Sequence, residues 1–107
     1  MTEEGNENDP SCWHLYVVRT EDGSLYTGIA TDVERRFEEH CAGGRKAAKF
    51  FMARKPVEVV FSRKIGTRSL ATKVEYHFKR LPKPRKEAIL ASRTFLFDTD
   101  TGRISDS

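Results

Sequence analysis

Residues 13–30 read WHLYVVRTEDGSLYTGIA, and this stretch decides how the chain begins to fold. Trp13 to Arg19 is apolar, aromatic and β-branched, a strand composition. Glu21-Asp22-Gly23-Ser24 is a turn cluster, and Asp-Gly is a favoured hairpin dipeptide. Leu25 to Ala30 then makes a second strand, expected to pair antiparallel with the first.

Downstream, the period changes to that of a helix. Thr31 with Glu34 three residues on has the form of a capping box. Val33 and Phe37 are spaced to make its buried stripe, and Gly43-Gly44 ends it. Lys46 to Ala53 is expected as a short second helix, broken at Pro56. Val57 to Ser62 is expected as the third strand. Thr67 is a candidate N-cap for a helix over 68–81, where Leu70, Val74, Phe78 and Leu81 recur at helical spacing. Pro82 and Pro84 interrupt, a short helix over 85–91 follows, and Thr94 to Phe97 is expected as an extended piece docking its apolar side chains. The order β-β-α-(α)-β-α-α defines an α+β class, a small three-stranded antiparallel sheet flanked by helices.

The 107 residues suit one domain. Residues 1–11 read as a disordered N-terminal segment, 12–97 as the domain, and 98–107 as a flexible C-terminal tail. No stretch approaches the roughly 20 apolar residues of a spanning helix. With an acidic, polar start rather than a signal peptide, a cytoplasmic protein is expected, and Cys12 and Cys41 are expected as free thiols. Residues 1–9 and 98–107 hold seven of the 16 acids and one of the 19 bases, so the body carries 18 bases and 9 acids. A body this basic suits a polyanion such as nucleic acid.

Several residues lack an obvious core role. Arg36 and His40 share a face of the first helix, away from the Val33/Phe37 stripe. Tyr16 and Tyr26 come close if the first two strands pair. Glu75 lies at the margin of an apolar stripe, where a carboxylate risks burial without a partner. Phosphodiester hydrolysis uses such a set: a carboxylate to hold a hard cation, a guanidinium to span developing charge, and a phenol or imidazole to act on water. Each also has a plainer reading. The tyrosines suit a sheet, Arg36 an ion pair with Asp32, His40 the helix dipole, and Glu75 a pair with Lys79. Cys12, His14, His40 and Cys41 are zinc-ligand types, but their spacing is not that of a finger. Phe50-Phe51 suits core packing more than base stacking. Lys79, Arg80, Lys83, Arg85 and Lys86 form a dense basic run suited to a DNA backbone.

The motifs resemble the GIY-YIG nuclease signature. Its two tripeptides correspond to His14-Leu15-Tyr16 and Tyr26-Thr27-Gly28, its helix arginine to Arg36, a following histidine to His40, and its helix glutamate to Glu75 in Lys73-Val74-Glu75-Tyr76. The resemblance covers about residues 13–91 and is similar in flavour to small single-domain bacterial members of the YhbQ type. It departs at His14 and Leu15, which replace glycine and isoleucine, at Thr27, which replaces an aliphatic residue, and in lacking a late asparagine that can be placed.

The resemblance implies a DNA nuclease using one Mg2+ or Mn2+ ion. Glu75 would hold the metal, Arg36 would stabilise the phosphate, and Tyr16 or Tyr26 would act on the water. Gly28 would allow close backbone approach, and Lys49 would contact phosphate. Branched, nicked or single-stranded DNA is the expected substrate, in repair or recombination at the nucleoid. A non-catalytic nucleic-acid-binding module on the same fold is the alternative, and a protein-interaction domain a third.

Overall fold

The computed structural model describes residues 12–105. The N-terminal segment 1–11 expected as disordered falls outside them, as do the last two residues. The elements are β1 (Trp13–Thr20), β2 (Leu25–Ala30), α1 (Val33–Ala42), two 3-10 turns (Gly44–Lys46 and Lys49–Met52), β3 (Pro56–Gly66), α2 (Arg68–Lys79) and α3 (Lys83–Ser92). The sheet is antiparallel in the order β2-β1-β3.

β1 is central, so both its edges are paired; elements pack on both its faces, and its alternate side chains divide the core in two. Leu15 and Val17 pack with Phe61, Val74, Phe78, Ile89, Leu90 and Phe95 from β3, α2, α3 and the chain beyond. Tyr16 and Val18 pack with Ala30 and Phe51, with Val33 and Phe37 of α1 against them. The sheet is therefore sandwiched, with α1 and the 3-10 turns on one face and α2 and α3 on the other.

The hairpin and the order of elements match the expectations, while several boundaries differ. Asp32, not Thr31, caps α1, its carboxylate accepting from Arg35 N at 3.0 Å. The expected helix over 46–53 is a pair of 3-10 turns. Two of its backbone groups meet side chains: Arg36 donates to Lys46 O, which an α-helix would need for its own ladder, and Ala48 N, a first-turn amide with no partner inside such a helix, donates to His40. β3 extends from Pro56 to Gly66, with register shifts opposite Trp13/His14, Val17/Val18 and Arg19/Thr20. Such shifts let a long strand keep pairing while it twists. Thr67 caps α2 as expected, accepting from Leu70 N at 3.1 Å. α3 starts before Pro84, because proline in the first helical turn forfeits no hydrogen bond.

The larger correction concerns the expected tail. Residues 97–104 form a hairpin closed by a Phe97–Ile104 bridge. The Asp98 carboxylate accepts from Asp100 N and Thr101 N at 2.7 and 2.9 Å, and Ser105 N donates to Leu96 O at 2.9 Å. Gly102, with φ 76°, seats this turn on α2, where an added Cβ would stand 2.6 Å from Lys73 Cβ and 2.7 Å from its backbone carbon. Lys73 Nζ donates to Asp100 O at 3.1 Å. Short polar side chains satisfying the turn amides, together with a glycine at positive φ, hold the segment without a long apolar run. Gly102→Ala is therefore expected to cost about 1–3 kcal/mol, from overpacking and a left-handed backbone. Thermal unfolding checks this, and an unchanged Tm would contradict the seating of the hairpin on α2.

Candidate active site

Tyr16 and Gly28 are directly paired across β1 and β2. The Tyr16 phenol lies over Gly28, where an added Cβ would stand 2.7 Å from its hydroxyl and 2.8 Å from Cζ. Gly28 was expected to admit a close approach by the substrate. What approaches it is the chain's own Tyr16 ring.

α1, docked on this face by Val33 and Phe37, presents His40 to that phenol. Tyr16 Oη and His40 Nε2 are 2.9 Å apart, and Ala48 N donates to His40 Nδ1 at 3.2 Å. A backbone amide only donates, so Nδ1 is unprotonated, and a neutral imidazole carries its proton on Nε2. His40 then donates to Tyr16 Oη, and the tyrosine's own hydroxyl proton points elsewhere. His40 is only 1% exposed and both its nitrogens are engaged, so it acts on Tyr16 rather than on water.

Tyr26, half-buried on the edge strand, completes an aromatic cluster. Its ring centroid is 6.2 Å from Tyr16, 5.4 Å from His40 and 4.9 Å from Phe51. Phe51 is buried and Phe50 packs beside it, so this pair serves packing. Arg36 reaches from the same helix as His40. Its Nη1 donates to Lys46 O at 2.6 Å and to Glu39 Oε1 at 2.8 Å, so its ion-pair partner is Glu39 rather than Asp32. A cleft of about 350 Å3 runs beside it, lined by Trp13, Ala30, Asp32, Arg35, Arg36 and Glu39 among others.

Burial sets the charge states. It holds the His40 imidazole down at about pH 4, and the nearby Arg36 charge works in the same direction against partial opposition from Glu39. The Tyr16 phenol is pushed well above its usual range by burial and by Tyr26, with Arg36 partly offsetting both. Both groups are neutral at pH 7. For His40 this ties stability to pH. Above about 6.5 neither the folded nor the unfolded state holds the proton, and the stabilisation is complete. Between about 6.5 and 4 the unfolded chain takes up a proton that the fold refuses, so stability falls, on the order of 2–3 kcal/mol in all. Denaturant titrations from pH 7 to pH 4 on wild type and His40→Gln check this. Equal losses in the two proteins would exclude His40 as the source.

Glu75 lies on α2. Its carboxylate pairs with Lys79 at 3.2 Å, and α2 covers the opposite face of the sheet from α1. Among the described residues no three His, Cys, Asp or Glu side chains gather as a metal site. Cys12 is buried, Cys41 is exposed, and both thiols are free. His14 Nδ1 is buried without a hydrogen-bond partner among the described residues.

The basic run is largely neutralised or occupied. Lys79 holds Glu75, Lys83 Nζ donates to Gly23 O at 2.9 Å and lies 4.0 Å from Glu87, and Arg80 stands 5.1 Å over the Tyr76 ring. Arg85 is half-buried, and burial and then the Lys79 charge hold the Lys86 ammonium below its usual range. Lys49 is exposed on the second 3-10 turn. Sequence reasoning missed the roles of Lys46 O and Ala48 N, which no side-chain pattern signals. It also missed Glu39, which the i, i+3 spacing from Arg36 does signal.

A family model described as the GIY-YIG catalytic domain matches residues 12–88. The chain is 44% identical over 95 residues to a UPF0213 protein of Klebsiella pneumoniae, covering 89% of this chain and 87% of that one. It is 48% identical over 79 residues to the UPF0213 protein YhbQ of Escherichia coli K12, covering 74% and 77%. A solution NMR structure of a UPF0213 protein from Bacillus halodurans is 33% identical, covers 77% of this chain and 85% of that chain, and superposes with a TM-score of 0.49. With the paired tyrosines, the helix arginine and the α2 glutamate inside the matched span, the chain belongs to the GIY-YIG nuclease family, among small relatives of the UPF0213 type.

Proposed function

We propose that the chain is a divalent-metal-dependent nuclease hydrolysing DNA phosphodiester bonds. The observation that carries this is the meeting of Tyr16, Tyr26, His40 and Arg36 on one face of β1, β2 and α1. Arg36 would bind the scissile phosphate with the N–H groups not spent on Glu39 and Lys46 O, and its charge would oppose the negative charge that develops there. Tyr26, the more exposed phenol, would orient the attacking water. Tyr16 accepts from His40 on one side, so its own hydroxyl proton is directed away from His40.

A lone carboxylate fits Mg2+ or Mn2+, hard cations that keep several waters and take few protein ligands. Glu75 would hold the ion by releasing Lys79. Such an ion, when bound, polarises the phosphate and stabilises the leaving oxygen. The basic body supports nucleic acid as substrate. Among the described residues no helix is long and apolar enough to cross a membrane. Branched, nicked or single-stranded DNA, met in repair or recombination in the cytoplasm, is the substrate this reading favours.

A non-catalytic binding module is the second reading, favoured by the Glu75–Lys79 pair and by the placement of α2 on the far face. End-labelled DNA of each structural class, incubated with Mg2+, Mn2+ or EDTA beside Arg36→Ala and Glu75→Ala, separates the two. Cleavage lost in EDTA and in both variants is expected. Binding without cleavage under either ion would establish the module instead.

A further inference from the structure

Some cations on this surface are answered by a carboxylate. Arg19 pairs with Glu87, Arg35 and Arg36 with Glu39, Arg54 with Asp22, Lys79 with Glu75. Arg80 and Arg103 have no ion-pair partner among the described residues. Both line one cleft of about 430 Å3, together with Tyr76, His77, Leu81 and Ile104.

Tyr76 is 56% exposed, a large aromatic with more than half its surface in solvent. Arg80 stands 5.1 Å over its ring and His77 meets it edge-on at 5.2 Å. Leu81 and Ile104 belong to the partly buried margin of the core and give the cleft an apolar side. The hairpin part of the lining is built rather than loose. Arg103 and Ile104 come from the hairpin that Gly102 and Lys73 seat on α2. An exposed aromatic ring, an apolar wall and two uncompensated guanidiniums, with no carboxylate in the lining, match one chemistry. A flat apolar group must be joined to an anion, as in an unpaired nucleotide. Base–aromatic stacking takes any base, while guanidiniums take the flanking phosphates.

We infer that this cleft is a subsite for an unpaired base of a nucleic-acid strand, with Tyr76 as the stacking platform and Arg80 and Arg103 on the neighbouring phosphates. The inference rests on the nuclease reading only for the kind of ligand. It makes the preferred substrate one with a single-stranded segment and places that segment along α2. Base-paired nucleotides are already stacked and gain nothing from Tyr76.

The test is a fluorescence titration of the full chain with a single strand carrying 2-aminopurine, in EDTA and at fixed ionic strength, beside a duplex of the same length. The expected result is quenching of the probe on binding. Tyr76→Ala should weaken single-strand binding about tenfold and remove the quench, with duplex binding little changed, while Tyr76→Phe retains both. Arg103→Gln should lower the salt slope by about one. Tyr76 is exposed, so the folds should match by circular dichroism. Wild-type-like binding by Tyr76→Ala, an equal loss for both DNA forms, or no quench in the wild type would each overturn the subsite. Because no cleavage is read, the nuclease reading fails separately, through the Arg36→Ala comparison.

Discussion

Arg36→Ala is expected to lower DNA cleavage at least about 10^2–10^3-fold, the usual effect of removing one preorganised charge from a forming transition state. Its structural cost should be small by comparison. The guanidinium donates to Lys46 O and to Glu39 at a site about one-third exposed, so roughly 1 kcal/mol of stability is at stake. Arg36→Lys sharpens the point. A lysine keeps the charge but can offer only one compact ammonium where arginine offers a fork. If Lys46 O and Glu39 occupy that ammonium, little remains for a phosphate, and activity should stay near that of the alanine variant. Initial cleavage rates and denaturant midpoints measured together check this. Full activity in Arg36→Ala would remove the catalytic assignment.

Gly28→Ala should be harmful in a way that runs against the ordinary rule. Within a strand, alanine is normally better than glycine by about 0.5–1 kcal/mol, and Gly28 has no positive φ that would forbid it. Here the new Cβ would stand 2.7 Å from the Tyr16 hydroxyl. That ring is 1% exposed and held by His40, so it has no open space to enter. Overpacking of this kind costs about 1–3 kcal/mol, and displacing the phenol breaks its bond to His40. We expect lower stability together with a loss of cleavage comparable to that of Tyr16→Phe. A variant as stable and active as wild type would show that the phenol need not lie over Gly28.

Much of the fold could be read along the chain because the signals were local. The hairpin follows from Asp22-Gly23 between two apolar runs, α1 and α2 from side chains spaced at 3.6 residues, and α3 from Ile89 and Leu90 after the prolines. Boundaries failed where competing donors or acceptors were non-local. Thr31 and Asp32 are both good caps, and Asp32 is the one that accepts from Arg35 N. Lys46 O is taken by Arg36, ten residues away, and Ala48 N is met by His40, eight residues away. The 97–104 hairpin looked like tail because its stability lies in turn amides and a glycine contact with α2, not in an apolar repeat.

The sequence alone determined the architecture and the residue types from which a hydrolytic site can be made, since hydrophobic period and turn chemistry act over a few residues. The tertiary structure decided what those residues do. It laid the Tyr16 phenol over Gly28, committed both nitrogens of His40 and placed Arg36 on Glu39. It set Glu75 beside Lys79 and gathered Tyr76, Arg80 and Arg103 around one cleft. Those outcomes depend on which side chains meet across the sheet and between distant segments, and such meetings are fixed by packing rather than by spacing along the chain.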